Sequence, residues 1–226
     1  MSTDLARSGA GRVALERVLE LLAHERASVS SVTDPRSAWD THVADSLSGL
    51  EVTDLAEAGR IADLGAGAGF PGIPLAVALP LARVDLIEAV GRKCAFMQRA
   101  LDEAEIENAS VVCSRSEEWA AGAGREAYDV VTARAIGGLA TLAELASPLL
   151  RDGGLLVAWR GRRDLDQESR LSQAAEALAV RPEEILAVTP YTGSRHRHLH
   201  LIRKAGSTPE RLPRRAGMAA KRPLGS

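Results

Sequence analysis

The stretch that most constrains this chain is Asp63-Leu64-Gly65-Ala66-Gly67-Ala68-Gly69-Phe70-Pro71-Gly72-Ile73-Pro74. It follows the short apolar run Arg60–Leu64 and opens a segment of helical periodicity over residues 72–79. Glycines between a strand and a helix let the chain take positive φ and let a bound group come close to the backbone. Pro71 is tolerated near the helix start, where the first N–H groups have no intrahelical partner. A strand, a tight glycine turn and a helix are therefore expected in that order.

The rest of the chain repeats this alternation. Strands are expected at Arg60–Leu64, Arg83–Ile87, Ser110–Cys113, Tyr128–Ala133, Leu155–Trp159, Ile185–Val188 and Leu199–Arg203. Helical stretches fall between them at 72–79, 91–104, 137–150 and 165–180. Such alternation implies parallel strands joined by right-handed crossovers, an α/β doubly wound, Rossmann-like sheet. Upstream, Val13, Val18, Leu19, Leu21 and Leu22 recur at helical spacing, and Trp39–Leu50 reads as a second helix. The expected division is a helical extension over 1–55, a sheet domain over 56–204 and a tail over 205–226.

Two acids give the glycine turn a chemical meaning. Asp63 sits at the strand end, where dinucleotide enzymes usually carry an apolar residue. Glu88 ends the next strand and can accept hydrogen bonds from both ribose hydroxyls of an adenosine. Together they favour S-adenosyl-L-methionine over NAD. A purely structural loop, with Asp63 only capping the turn, is the plainer alternative.

Composition narrows the classes further. The chain is 46% hydrophobic and 26% charged with a net charge of −2, as expected of a globular protein with a real core. No apolar run reaches the roughly 18–20 residues of a membrane span. The N-terminus lacks the pattern of a signal peptide, so a cytoplasmic protein without membrane association is expected. Cys94 and Cys113 are too few for a disulfide scaffold and are expected as buried reduced thiols. From Arg203 to Ser226 there are seven basic residues against one acid, Glu210, with three prolines. That tail is expected to be disordered when free, either an arm for RNA or a merely solvated end.

Beyond the glycine turn, the chain resembles the bacterial 16S rRNA guanine-N7 methyltransferase family, also called glucose-inhibited division protein B. The resemblance rests on Asp34-Pro35, His42 with Asp45-Ser46, Gly69-Phe-Pro-Gly-Ile-Pro74, Glu88 with Gly91-Arg-Lys93, and Ser114-Arg-Ser-Glu-Glu118. It continues in Ala133-Arg-Ala135 and Arg197-His198-Leu199, in order and with family-like spacing over about residues 28 to 203. The chain departs from the family at Ser28-Val-Ser30, Thr41 and Arg160-Gly161.

The resemblance implies a class I S-adenosylmethionine-dependent methyltransferase that modifies guanine N7 in the helix-18 loop of 16S rRNA. Apart from the resemblance, the substrate is expected to be the 30S subunit or a late assembly particle, and the enzyme a monomer without an obligate protein partner. By matching position, Gly65, Gly67 and Phe70 line the cofactor, Glu88 holds the ribose, and Ser116 and Glu117 flank the adenine. Arg134 faces the methyl-transfer site, and His42 and Asp45 border the pocket.

Guanine N7 carries a lone pair and no proton, so no catalytic base and no metal are expected. Arg134 is a positioning candidate for the guanine O6 or a phosphate; its plainer role is a salt bridge to a loop acid such as Asp63. Arg160, Arg162 and Arg163 after the fifth strand, and Arg195, Arg197 and His198 before the last, are candidate RNA contacts with His42. Seven aromatics in all leave few platforms for base stacking, so folded RNA shape and backbone charge would dominate. A small-metabolite methyltransferase and a catalytically silent RNA-binding assembly factor are the alternatives.

Overall fold

The computed structural model describes residues 9–25 and 35–225, apart from the side chains of Pro35 and Arg36. Asp34 and Ser28–Ser30 lie outside the described residues.

Helix α1 (Gly9–His24) buries Leu15, Val18, Leu19 and Leu22, an i, i+3, i+4, i+7 stripe. The next helical run, α2 (35–51), is not uniform. It passes from an α-turn through a π segment, Trp39–Ala44, to a second α-turn, Asp45–Leu47, and a 3₁₀ turn, Ser48–Glu51. A short α3 (Thr53–Ala56) leads to the sheet.

The sheet alternates with helices as β1 (Arg60–Leu64), α4 (Gly72–Ala78), β2 (Arg83–Glu88), α5 (Gly91–Glu103) and β3 (Ala109–Cys113). It continues through α6 (Ser116–Ala120), β4 (Tyr128–Arg134), α7 (Leu139–Ala146), β5 (Leu150–Arg160), α8 (Leu165–Ala174), β6 (Val180–Val188) and β7 (Arg197–Lys204). The seven strands lie in the order β3-β2-β1-β4-β5-β7-β6. The first five are parallel, whereas β7 runs antiparallel between β5 and β6. An all-parallel continuation fails there for a simple reason: residues 189–196 contain no helix, and a parallel return needs a crossover of about a dozen residues or more.

Two apolar layers cover the sheet. One gathers α1, α2, α4 and α5 around Ile61, Val84, Leu86 and Val157; the other packs α7 and α8 on Ala62, Val131, Leu156 and Ile202. The N-terminal helices therefore share a core with the sheet. Asn108 tightens the end of α4, its amide donating to the carbonyls of Ala76, Leu79 and Ala82 at 3.0–3.1 Å.

Two expectations fail. Cys94 on α5 and Cys113 at the end of β3 are paired as a disulfide, with Cα atoms 5.8 Å apart, and are not reduced thiols. The parallel register sets Cys113 beside Glu88, and α5 turns back over that pair, so proximity comes from topology and not from sequence spacing. The tail is also not free. Leu212 and Ala219 are buried, and residues 205–225 lie on the body, ending in the short helix α9 (Met218–Lys221).

Candidate cofactor and substrate clefts

Strand order reverses between β1 and β4, and ligands of open α/β sheets bind outside the carboxyl ends of strands at such a point. A cleft of about 470 Å³ opens there. It is lined by the glycine turn, by Glu88 and Lys93, by Ser114–Glu117, and by Arg134–Ile136.

The turn is built from below. Asp63 is fully buried and accepts hydrogen bonds from the Gly72 N–H at 2.8 Å and the Thr132 hydroxyl at 3.2 Å. A Cβ at Gly72 would run into Leu86 and Asp63, so that glycine lets α4 press against the sheet. Burial pushes the Asp63 carboxyl up to about 7, against the lowering effect of those hydrogen bonds and of Arg134. Asp63 thus stands beneath the loop, outside the lining of the cleft, and shapes the glycine turn from below; it was expected to bind the cofactor.

Gly67 is where a ligand would approach. Its φ is +64°, its N–H donates to Glu88 Oε2 at 3.1 Å, and a Cβ there would meet nothing nearer than the Gly65 carbonyl at 3.8 Å. The space beside it belongs to the cleft. Glu88 Oε1 accepts from the Val90 N–H at 2.9 Å, and Lys93 Nζ lies 3.8 Å from Oε2. Each carboxylate oxygen retains acceptor capacity, as a vicinal diol requires.

At the other end, the Ser116 hydroxyl donates to Glu117 Oε2 at 3.1 Å, and the Gly217 N–H donates to Oε1 at 2.8 Å. Phe70 stacks on His42 with centroids 4.6 Å apart. Gly65, Gly67, Phe70, Glu88, Ser116, Glu117, Arg134 and His42 share one cleft, whereas Asp45 lines its neighbour. Lys93, Gly217, Ala219 and Ala220 belong to it as well. Lys93 stands in the Gly91-Arg-Lys93 string; nothing in the sequence pointed to the three tail residues.

Arg134 joins this cleft to a second, of about 200 Å³, lined by Asp45, Arg134, Ala135, Trp159, Arg160, Gly161, Val188, Arg197 and His198. Its guanidinium is engaged by α2: Nη1 donates to the Thr41 carbonyl at 3.0 Å and to Asp45 Oδ2 at 3.1 Å, and Nη2 meets His42 Nδ1 at 3.3 Å. Its acidic partner is Asp45, not Asp63. The Trp159 indole donates to the Asp45 carbonyl at 2.8 Å, pinning the same turn from β5. Three buried atoms of the second cleft, Asp45 Oδ1, Arg160 Nε and Arg197 Nε, make no hydrogen bond; the first and the last face each other as an ion pair at 3.6 Å.

The arginines expected to meet RNA divide. Arg160 is drawn inward, Nη2 donating to the carbonyls of Ile136 and Gly137 at 3.1 and 2.8 Å, and its burial lowers its pKa. Arg163 is spent on a two-pronged pair with Glu168 at 2.9 and 2.6 Å. Arg197 donates to the Tyr191 hydroxyl, and His198 Nδ1 meets the Gly161 carbonyl at 2.8 Å. Arg162 and Arg195 are exposed, the former 3.5 Å from His196 Nε2. Among the described residues no group of three or more His, Cys, Asp or Glu is arranged to hold a metal, and no helix is long and apolar enough to cross a membrane.

Comparison with known proteins decides the relationship. The family model described as rRNA small subunit methyltransferase G matches residues 14–199. The chain belongs to the rRNA small subunit methyltransferase G family. It is 42% identical over 92% of its length to the protein of that name from Rubrobacter xylanophilus, covering 82% of the latter. It is 38% identical over 87% of its length to the Pelotomaculum thermopropionicum protein of the same name, covering 83% of it. Among solved structures, one titled a predicted O-methyltransferase from Agrobacterium tumefaciens aligns at a TM-score of 0.56 and 27% identity, over 72% of this chain and 81% of its own. Aeropyrum pernix fibrillarin, solved with natively bound S-adenosyl-L-methionine, shares the fold at 0.54 and 17% identity, over 70% of this chain and 72% of its own. The match to methyltransferase G contains every lining residue of both clefts except Gly217, Ala219 and Ala220.

Proposed function

We propose that this chain transfers a methyl group from S-adenosyl-L-methionine to N7 of a guanine in the helix-18 loop of 16S rRNA, on a 30S particle. The observation that carries this reading is the pair of clefts meeting at Arg134 and Ala135. The first suits an adenosine: a glycine floor open at Gly67, a two-oxygen acceptor at Glu88, and a second carboxylate at Glu117.

Bound there, the cofactor would supply an electrophilic methyl group on a sulfonium. The chain's own task is then alignment, because N7 needs no deprotonation. His42 stacks on Phe70 and meets Arg134, which fits a wall of the cleft and not a proton carrier. In the second cleft, Asp45 Oδ1 accepts no hydrogen bond and is held only by the charge of Arg197, whose Nε lies 3.6 Å away. The N1–H and amino group of guanine are donors on the edge opposite N7, so a guanine held by Asp45 leaves N7 free to face the first cleft. Arg134 supports this arrangement by holding Thr41, His42 and Asp45 in place, in contrast to the direct guanine contact expected from sequence.

The test is methyl transfer from labelled cofactor to unmethylated 30S particles, naked 16S rRNA and a metabolite mixture, with the modified base mapped. Label at a helix-18 guanine N7, with the particle preferred, is the expected result. Label only on a metabolite, or none on any RNA despite cofactor binding, would overturn it.

A further inference from the structure

The C-terminal segment is fastened at successive points. Lys204, buried at the end of β7, donates to the hydroxyls of Ser147 and Thr208 at 2.9 and 3.0 Å. The Thr208 N–H donates to Glu126 Oε1 at 2.7 Å, and the carbonyl of buried Leu212 accepts from Arg125 at 3.2 Å. Arg214 then grips Glu144 of α7 with two hydrogen bonds, at 2.5 and 2.7 Å, and its Nη2 also reaches the Arg222 carbonyl at 2.7 Å. That last bond closes residues 214–222 into a loop, which Thr141 pins through the Ala219 carbonyl at 3.2 Å. At its apex Gly217, at φ +80°, gives its N–H to Glu117, and Gly217, Ala219 and Ala220 wall the first cleft.

We propose that residues 212–222 are a strap that completes the cofactor site. It orients Glu117 through the Gly217 N–H and closes the cleft beside the adenine with a low wall of small residues. The inference rests on placing S-adenosylmethionine in this cleft. Two further observations bear on it. The strap lies beyond residues 14–199, the range that the family model matches. The basic residues that suggested an RNA arm are also partly consumed by the body: Arg203 pairs with Asp54 and Glu183, Lys204 is buried, Arg211 donates to the Ala177 carbonyl and Arg214 to Glu144.

Arg214 and Ala220 allow the strap to be tested on the full chain from two sides. Arg214→Ala releases the anchor without touching the cleft, Arg214→Lys restores charge without the fork, and exposed Ala220→Trp fills the wall without disturbing any core. Calorimetric Kd for S-adenosylmethionine and S-adenosylhomocysteine, melting temperature, and KM for 30S particles are read for each. The expected result is a Kd raised about tenfold by Arg214→Ala, the loss of roughly one charge-assisted contact. Arg214→Lys should fall between wild type and Arg214→Ala, Ala220→Trp should weaken both ligands, and KM for particles should not change in any variant. If Arg214→Ala melts with the wild type and Kd stays within twofold, or if Ala220→Trp binds as wild type, the strap does not belong to the site. A raised KM for particles with unchanged Kd would return the segment to RNA. Gly67→Val serves as the control: should it retain binding, the cleft itself is misassigned and the strap proposal falls with it. Should it lose binding while the strap variants keep it, only the strap proposal fails.

Discussion

Asp63 shows how a residue can shape a cleft that it does not line. Its carboxyl is sealed under the glycine turn and holds its proton up to about pH 7 in the fold, whereas an unfolded chain releases it near pH 4. Between those values the native state binds more protons than the unfolded one, so this group makes stability fall as pH rises from about 4 to 7 and leaves it level above. Asp54, Glu183 and Asp129, whose pKa values are lowered through pairing with arginines, act in the opposite sense, losing stability as pH falls. The informative quantity is therefore the difference between wild type and Asp63→Asn, measured as urea midpoints from pH 4 to 8. The variant is expected to gain on wild type over that window, by an amount on the order of a few kcal/mol. Parallel curves would mean the carboxylate is buried ionised. Gly67 makes the complementary point. Valine there takes the ligand's space and a backbone conformation foreign to a β-branched residue, so cofactor binding should vanish while the melting temperature drops only modestly.

At the scale of elements, the legible parts were those where local chemistry and tertiary position agree. The run ending at Leu64, its glycines and the acid closing Val84–Glu88 are contiguous signals, and they delivered the first cleft almost whole. Element α2 was legible as a helix from its apolar spacing, but its π segment was not. The turn owes its form to distant partners: Trp159 from β5 holds the Asp45 carbonyl, and Arg134 from β4 holds Thr41 and Asp45. Gly49 lies directly under the Trp159 ring and beside Leu55, where a Cβ has no room. Gly49→Ala is therefore expected to cost about 1–3 kcal/mol through overpacking, read from a denaturant midpoint. It should also reduce RNA methylation more than cofactor affinity, because α2 borders the second cleft through Asp45. A stability equal to wild type would show that α2 slides freely on β5. The disulfide was illegible for the same reason as the π turn, since it joins two elements that meet only through the parallel register of β2 and β3. Alkylation in denaturant should label no thiol before reduction and both Cys94 and Cys113 after it; labelling beforehand would show the two thiols free.

For the whole molecule, the question is how a chain of net charge −2 addresses RNA. The sequence marked the arginines after β5 as candidate RNA contacts and left the tail open between an RNA arm and a solvated end, but the fold sorts them by what they already hold. Arg163 is matched by Glu168, Arg203 by two acids, and Arg214 by Glu144, so each brings little unpaired charge to a phosphate. Arg162 and Arg195 are exposed, close in sequence to Gly161 and Arg197 of the second cleft, and would release counterions from RNA if they touch it. This sorting separates the variants in a salt titration. Arg162→Ala combined with Arg195→Ala should flatten the slope of log K for 30S binding against log salt by roughly 1.5–2, the share of two phosphate contacts. Arg163→Ala removes the same formal charge as either one of them but also frees Glu168, and should shift the slope far less than either single variant. If all three single variants flatten the slope alike, the Arg163–Glu168 pair opens on the particle, and the charge that grips RNA is set by the complex and not by the free fold.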